Sequence, residues 1–273
     1  MNAAEITRES KSNLALAFVS LGRERRKDMT TLYAFCRVID DVADSETLAP
    51  AQKQEALTQW RQRLRVSSPD EPMLAQELRD LLAKYQLPPE MIDEIVTGVE
   101  MDLHKSVYST FEELRTYCYH VASAVGLVSI EIFGYRNPRC KDYAVNLGLA
   151  LQMTNIIRDV GKDLNKDRIY LPQEDLDRFG YSTTDLRSRT YNENFVRLMR
   201  FESERARGFF EQARAALPRE DRHSMIAAEI MGSVYRKLLQ RMEDDGFRVF
   251  EKDYRLNKLE KAGRILGQLW KLF

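Results

Sequence analysis

Apolar residues recur at helical spacing through almost the whole chain, and convincing strand alternation appears nowhere, which restricts the fold to the all-α class. Breakers at Pro50, Ser67-Ser-Pro-Asp-Glu-Pro72, Pro88-Pro89, Gly134 to Pro138, Pro172, Gly180 and Pro218 cut the sequence into segments of helical length. The pattern predicts helices over 11–21, 24–44, 51–65, 73–85, 89–104, 111–133, 138–164, 173–178, 191–216, 220–246 and 256–272. No sequence repeat, low-complexity tract or long linker intervenes, so 1–273 reads as a single domain. At 273 residues, 44% apolar and 31% charged, such a chain buries a sizeable core and lies near the upper end for one domain.

Forty-two acidic and forty-two basic residues cancel, so no global field favours nucleic acid or an anionic membrane, and any polyanion site must be local. Arg23-Glu-Arg-Arg-Lys27 is one such patch. Cys36, Cys118 and Cys140 have no metal-ligand spacing, and the N-terminus shows no signal-peptide pattern. A cytoplasmic location is expected. The longest apolar stretch, Val121 to Ile130, is about half a membrane span and is followed by Glu131, so no bilayer crossing is expected. In the C-terminal "GRILGQLWKLF", Ile265, Leu266, Leu269, Trp270 and Phe273 form an apolar helical edge flanked by lysine. That edge predicts loose peripheral contact with the inner membrane face at most; packing on the chain's own domain is the simpler expectation.

Charge stands where a helix should be apolar in two places. In "LYAFCRVIDDVAD", Tyr33, Arg37, Asp40, Asp41 and Asp44 share a face while Leu32, Phe35, Val38, Ile39 and Val42 are apolar. In "NIIRDVGKDL" and the turn before it, Gln152, Asn155, Asp159 and Asp163 form a second stripe, with Arg158 beside it. Either stripe alone reads as a solvated face, yet like charges at this spacing weaken a helix by a few tenths of a kcal/mol, so helix stability does not ask for them. If the stripes face each other, the carboxylates converge and require divalent cations; oxygen and amide ligands suit Mg²⁺, which shares its shell with substrate phosphates. A calcium loop from Asp163 to Glu174 is excluded because Arg168 stands at the sixth position, where the chain must turn sharply, and Pro172 breaks the exit. His104 and His223 read as surface or structural residues, and Cys36 as a small packed hydrophobe.

"LYAFCRVIDDVAD", "YCYHVASAVGLVSIEIFG" and "LALQMTNIIRDVGKDLNKDRIYLPQEDLDRFG" resemble the three signature regions of the squalene/phytoene synthase family, the head-to-head prenyl transferases. The resemblance runs from about Ser10 to Lys261, and "RIYLPQEDL" is most similar to the bacterial presqualene diphosphate synthases of hopanoid pathways. It implies an isoprenoid synthase fold around a central cavity, with Mg²⁺ holding two prenyl diphosphates. By this resemblance Asp40, Asp44, Asp159, Asp163 and Asn155 hold metal; Tyr33, Arg37, Asp41, Gln152, Arg158, Tyr235 and Lys252 hold substrate; and Tyr119 is a catalytic tyrosine. Ser123 stands where the family often has glycine, and His120 where it often has tyrosine.

The implied reaction ionises one farnesyl diphosphate, adds the second chain's double bond to the cation, and loses a proton to close a cyclopropane, giving presqualene diphosphate. Phytoene, dehydrosqualene or squalene synthesis are the alternatives in the family; a chain elongator, a cyclase and a non-catalytic helical scaffold are the readings outside it. NADPH is not expected: no Gly-rich strand-to-helix turn is present, nor is the anchoring C-terminal extension of the synthases that reduce their intermediate. The product is expected to pass to downstream isoprenoid enzymes.

Overall fold

The computed structural model describes residue 3 and residues 17–270, so most of the expected first helix, and Phe273 of the C-terminal edge, lie outside the described residues. Among the described residues there is no strand, only one isolated parallel bridge between Val107 and Ile169. Helix α1 spans Arg23–Asp44, α2 Pro50–Arg63, α3 Met73–Tyr85 and α4 Glu90–His104. Helices α5 (Phe111–Cys118) and α6 (Ala124–Phe133) are joined without a break by a π-helical turn, Tyr119–Ser123. Then follow α7 (Cys140–Asp163), α8 (Gln173–Arg178), α9 (Thr183–Arg187), α10 (Glu193–Ala216), α11 (Ile226–Asp244) and α12 (Lys258–Trp270).

Local chemistry sets most of the boundaries. Pro50 opens α2 at a position where its missing N–H costs nothing, and the Asn192 side chain accepts from the Phe195 N–H to cap α10. The expected helix over 220–246 begins only at Ile226, because the buried Asp221 carboxylate is engaged by the Arg136 and Asn137 N–H groups at 2.8 and 2.9 Å. That tie fixes the 3-10 turn Arg219–Asp221 against the α6–α7 loop. The short α9 was not expected; Ser182 and Asp185 form its capping box.

Helix α7 is the axis, touching α5, α6, α10, α11 and the π turn, while α1 packs on α2, α3, α4 and α6. Two glycines seat the π turn. A Cβ on Gly148 of α7 would stand 2.6 Å from the Ser123 Cα, and one on Gly98 of α4 would stand 2.7 Å from Val121 Cγ1. Ser123 fits without a cavity because Gly148 yields the space and its hydroxyl donates to the Val145 carbonyl at 2.8 Å. The run Phe111–Phe133 is continuous over 23 residues, so by length and composition it could cross a membrane, contrary to the shorter span expected from Val121 to Ile130. Half of its most apolar window is buried inside the bundle, as befits a core helix.

Candidate active site

The two acidic stripes meet. Arg37, Asp40 and Asp44 from α1 and Gln152, Asn155, Arg158, Asp159 and Asp163 from α7 line one polar cleft with about 950 Å³ of empty space. Asp102 from α4, Tyr117 from α5, and Lys166, Arg168 and Tyr170 from the segment after α7 complete it. A second, apolar cavity with about 900 Å³ of empty space lies against it, walled by Phe18, Met29, Val125, Phe133, Tyr143, Leu147, Met231 and Tyr235 among others. Val121, Gln152 and Asn155 line both, so the two spaces share a seam.

Crowding governs the charges of the cleft. Asp40 is open to the solvent of the cleft, yet the protein crowded around it, then the Asp44, Asp102 and Asp41 carboxylates against the opposing pull of Arg37, push it up to about 7. Burial followed by the Asp159 charge pushes Asp163 up to about 7, and burial raises Asp102. Asp44 differs: its own burial is outweighed by Lys166 at 2.8 Å and Arg168 at 2.9 Å, which hold it below the usual carboxylate range. Arg158 grips Asp159 through Nε, 3.0 Å from each carboxylate oxygen, and Lys162 reaches the same group at 3.2 Å.

These residues suit a hard divalent cation. Asn155 donates to Gln152 Oε1 at 3.2 Å, yet its own Oδ1 is buried with no hydrogen-bond partner, an acceptor waiting for a cation at the seam. Two carboxylates in the same cleft are raised, first by burial, and a bound cation would favour their charged forms. Among the described residues no three His, Cys, Asp or Glu side chains gather closely enough to hold an ion. Carboxylate and amide oxygens are nevertheless the donor types of Mg²⁺, which keeps water and phosphate oxygens in its shell.

The remaining expected site residues divide. Tyr235 lines the apolar cavity and lies beside Arg158. Asp41 sits outside the cleft, half-exposed and paired with Arg37 at 2.6 Å. Tyr33 packs edge-on against Phe18, with ring centroids 6.4 Å apart, and lines neither space. Two others lie outside the lining of both spaces. Lys252 lies in a surface hollow with Lys237 and Arg241, its Nζ 2.8 and 2.9 Å from the Asp245 oxygens, while its neighbour Asp253 pairs with Lys162 of α7 at 2.8 Å. Tyr119 opens the π turn and lines neither cavity. Tyr117, two residues earlier, points into the cleft instead and donates to Asp102 at 3.0 Å. Tyr170 donates to the other Asp102 oxygen at 2.7 Å and stacks on Tyr117, with centroids 5.1 Å apart.

Asp102, Tyr117, Lys166, Arg168 and Tyr170 were not foreseen. Lys166 and Arg168 follow Asp163 by three and five residues, a cationic pair directly after the second acidic stripe, and that spacing was the available signal.

Known proteins share this arrangement of sequence. The family model for squalene/phytoene synthase matches residues 7–260. The 15-cis-phytoene synthase of Synechococcus elongatus is 34% identical over 264 residues, covering 91% of this chain and 85% of the relative. A dehydrosqualene synthase crystallised with ligand superposes with a TM-score of 0.88 at 26% identity, over 99% of this chain and 95% of that one. The squalene synthase HpnC from Alicyclobacillus acidocaldarius gives 0.79 at 26% identity, over 90% and 93%.

Proposed function

We propose that the chain, which belongs to the squalene/phytoene synthase family and is a prenyl transferase, condenses two farnesyl diphosphates head to head into presqualene diphosphate. The seam between the two cavities carries this reading. A prenyl diphosphate has one polyanionic end and one hydrocarbon end, and Val121, Gln152 and Asn155 stand where those ends would join.

Asp40, Asp44, Asp159 and Asp163 with Asn155 would hold Mg²⁺, which neutralises a diphosphate and so makes it a leaving group. Arg37, Arg158, Lys166 and Arg168 line the same cleft and supply donors for phosphate oxygens, the guanidinium groups as planar forks. Below the seam, the apolar walls exclude water, so an allylic cation meets the second double bond before it meets a hydroxyl. The proton lost on ring closure has two acceptors in the cleft, the released diphosphate and the Tyr117–Asp102 pair. Burial makes the Asp102 carboxylate a better base than an exposed one. Overall, two C15 diphosphates yield one C30 cyclopropyl diphosphate, one diphosphate and one proton.

Asn155 at the seam and Tyr143 both line the apolar cavity, twelve residues of α7 or about 18 Å of helix apart, so its wall is of the length of a prenyl chain. The phytoene synthase names of the sequence relatives favour a second reading, two geranylgeranyl diphosphates giving phytoene at the same site. In the first reading the protein works in the reducing cytoplasm without NADPH and hands its product to a downstream isoprenoid enzyme.

Purified protein incubated with Mg²⁺ and either diphosphate, with and without NADPH, decides between them. A cyclopropyl C30 diphosphate from farnesyl diphosphate, unaffected by NADPH, is expected, and Asp159→Asn should abolish it with the far-UV CD spectrum unchanged. Phytoene from geranylgeranyl diphosphate alone would establish the second reading. Squalene formed on adding NADPH would overturn the stop at the cyclopropane.

A further inference from the structure

Two buried acids share one arginine between α8 and α10. Glu202 of α10 is fully buried, and Asp175 of α8 is 3% exposed. Arg205 Nη1 donates to Glu202 Oε2 at 2.7 Å and to Asp175 Oδ2 at 2.8 Å, and its Nη2 reaches Asp175 Oδ1 at 3.4 Å. The other Glu202 oxygen, Oε1, is buried with no hydrogen-bond partner among the described residues. An ionised carboxylate can only accept, so a bare buried oxygen on one goes uncompensated, whereas a carboxylic acid has a proton to donate.

The neighbouring elements bring no second cation to the pair. Arg178 of α8 lies over the Phe201 ring, 4.5 Å from its centroid, and makes no ion pair among the described residues. Helix α11 brings Glu243, which is engaged by Ser203 and Arg207. Helix α5 brings the Cys118 thiol, pushed well above its ordinary range by burial and then by the Glu202 charge. Helix α7, packed along α10, has no ionisable residue between Tyr143 and Arg158. Two carboxylates against one guanidinium leave one buried charge in excess, which a single proton removes. Asp175 takes both arms of the guanidinium fork and Glu202 only one, so the proton falls to Glu202. Burial, opposed by Arg205 and aided by the charge and hydrogen bond of Asp175, pushes Glu202 up to about 8.

What this trio joins bears on the cleft. The Arg205 guanidinium carbon lies 3.9 Å from the ring centroid of Phe111, the first residue of α5, whose N–H donates to Glu174 Oε1 at 2.7 Å. The Gln173 and Glu174 N–H groups donate to the Tyr108 and Ser109 carbonyls at 2.9 and 3.1 Å. The starts of α5 and α8 are thus tied together and held on α10. Tyr117 near the other end of α5, and Arg168 and Tyr170 just before α8, line the cleft.

We propose that Glu202 is a neutral carboxylic acid that donates to Asp175, and that with Arg205 it is a positioning residue, seating α8 on α10 so that Arg168 and Tyr170 meet the cleft. The full chain, with its glutamates labelled with ¹³C at the carboxyl, is titrated by NMR without metal or substrate; Asp40, Asp102 and Asp163 are then silent. One glutamate signal should titrate near pH 8, well above the rest, and be missing in Glu202→Gln. The second measurement rests on the proposed function, as the first does not: the affinity for inorganic diphosphate with Mg²⁺, by calorimetry, in the wild type and in Glu202→Gln. The amide is a neutral donor of the same shape that keeps its hydrogens at all pH values, so the ratio of wild-type to variant affinity should fall about tenfold from pH 7 to pH 9, as the competent, protonated fraction of the wild type falls. The ratio also cancels the titration of Asp40 and Asp163, which both proteins share. Glutamates that all titrate in the ordinary range, at about 4 to 5, would overturn the neutral acid. A ratio that stays constant with pH would overturn the positioning role, and a Glu202→Gln chain that does not fold would overturn both, because the site would then require the charge.

Discussion

Arg168 donates to the Asp44 carboxylate at 2.9 Å, across 124 residues of sequence, and so ties the end of α1 to the segment that follows α7. Lys166 holds the other oxygen at 2.8 Å. On the proposed function both cations turn from Asp44 to phosphate oxygens when a diphosphate enters. Arg168→Gln removes a fork of charge-assisted donors worth about 1.5–3 kcal/mol, so KM for the prenyl diphosphate should rise about tenfold to a hundredfold. Arg168→Lys should recover only part of it, because a point charge cannot make the bidentate contact. Steady-state measurement of diphosphate release on both variants tests this.

Cation binding in the cleft should release protons. Asp40 and Asp163 are raised to about 7, mainly by burial, so near neutrality each is partly protonated, and a divalent cation requires both bare. Their protons therefore leave as Mg²⁺ and diphosphate bind, and the apparent affinity should increase as pH rises through about 7. Calorimetry in two buffers of different ionisation enthalpy reads the proton count directly. Asp163→Asn should reduce the count; proton uptake would contradict the electrostatics described above.

The two tyrosines of the central segment should separate. Tyr117→Phe removes the donor to Asp102 in the cleft and should lower kcat at least about tenfold, with folding intact. Tyr119→Phe, at a position that lines neither cavity, should leave kcat within about twofold. Equal losses at both positions would mean that the catalytic tyrosine is chosen by something other than access to the cleft.

Helix packing offers a test that does not depend on activity. A Cβ at Gly148 meets backbone of the π turn at 2.6 and 2.7 Å, and backbone cannot step aside as a side chain can. Gly148→Ala should destabilise the protein by about 2–3 kcal/mol, lowering Tm by about 5 °C or more. Gly208→Ala on α10, where a Cβ meets nothing within 4 Å, should raise stability by about 0.5–1 kcal/mol. Thermal unfolding of the pair measures both.

Which parts of this were legible in the sequence follows from the range of the interactions. Asp40, Asp44, Asp159 and Asp163 could be placed together because each pair declares its face within one helix, and α1 and α7 keep their expected extents to within two residues. Asp102 could not, since on α4 it is one more acid at the end of an ordinary amphipathic helix, and only the approach of Tyr117 and Tyr170 gives it a role. Arg168 reads in the sequence only as the residue that excludes a calcium loop, and the partner it shares with Lys166, Asp44, is more than a hundred residues away. Lys252 has its role by resemblance alone, and in the structure it pairs locally with Asp245. Tyr119 has its role the same way, and identity at a motif position does not say which way a side chain points when the backbone there is not α-helical.

The π turn Tyr119–Ser123 turns that last point into a constraint on how such a protein can diverge. Each residue of a helix advances the face by about 100°, and a π turn accommodates one residue more than the α-helix would. Deleting a single residue there would restore regular winding and leave everything downstream, Val125, Ser129 and Phe133 included, on nearly the face it now turns to the hydrocarbon cavity. Deleting one from the regular winding of α6 would instead swing all that follows by about 100° and exchange the lining beyond it in one event. Lineages that inherit this fold should therefore tolerate a one-residue change of length within these five residues far better than within α6.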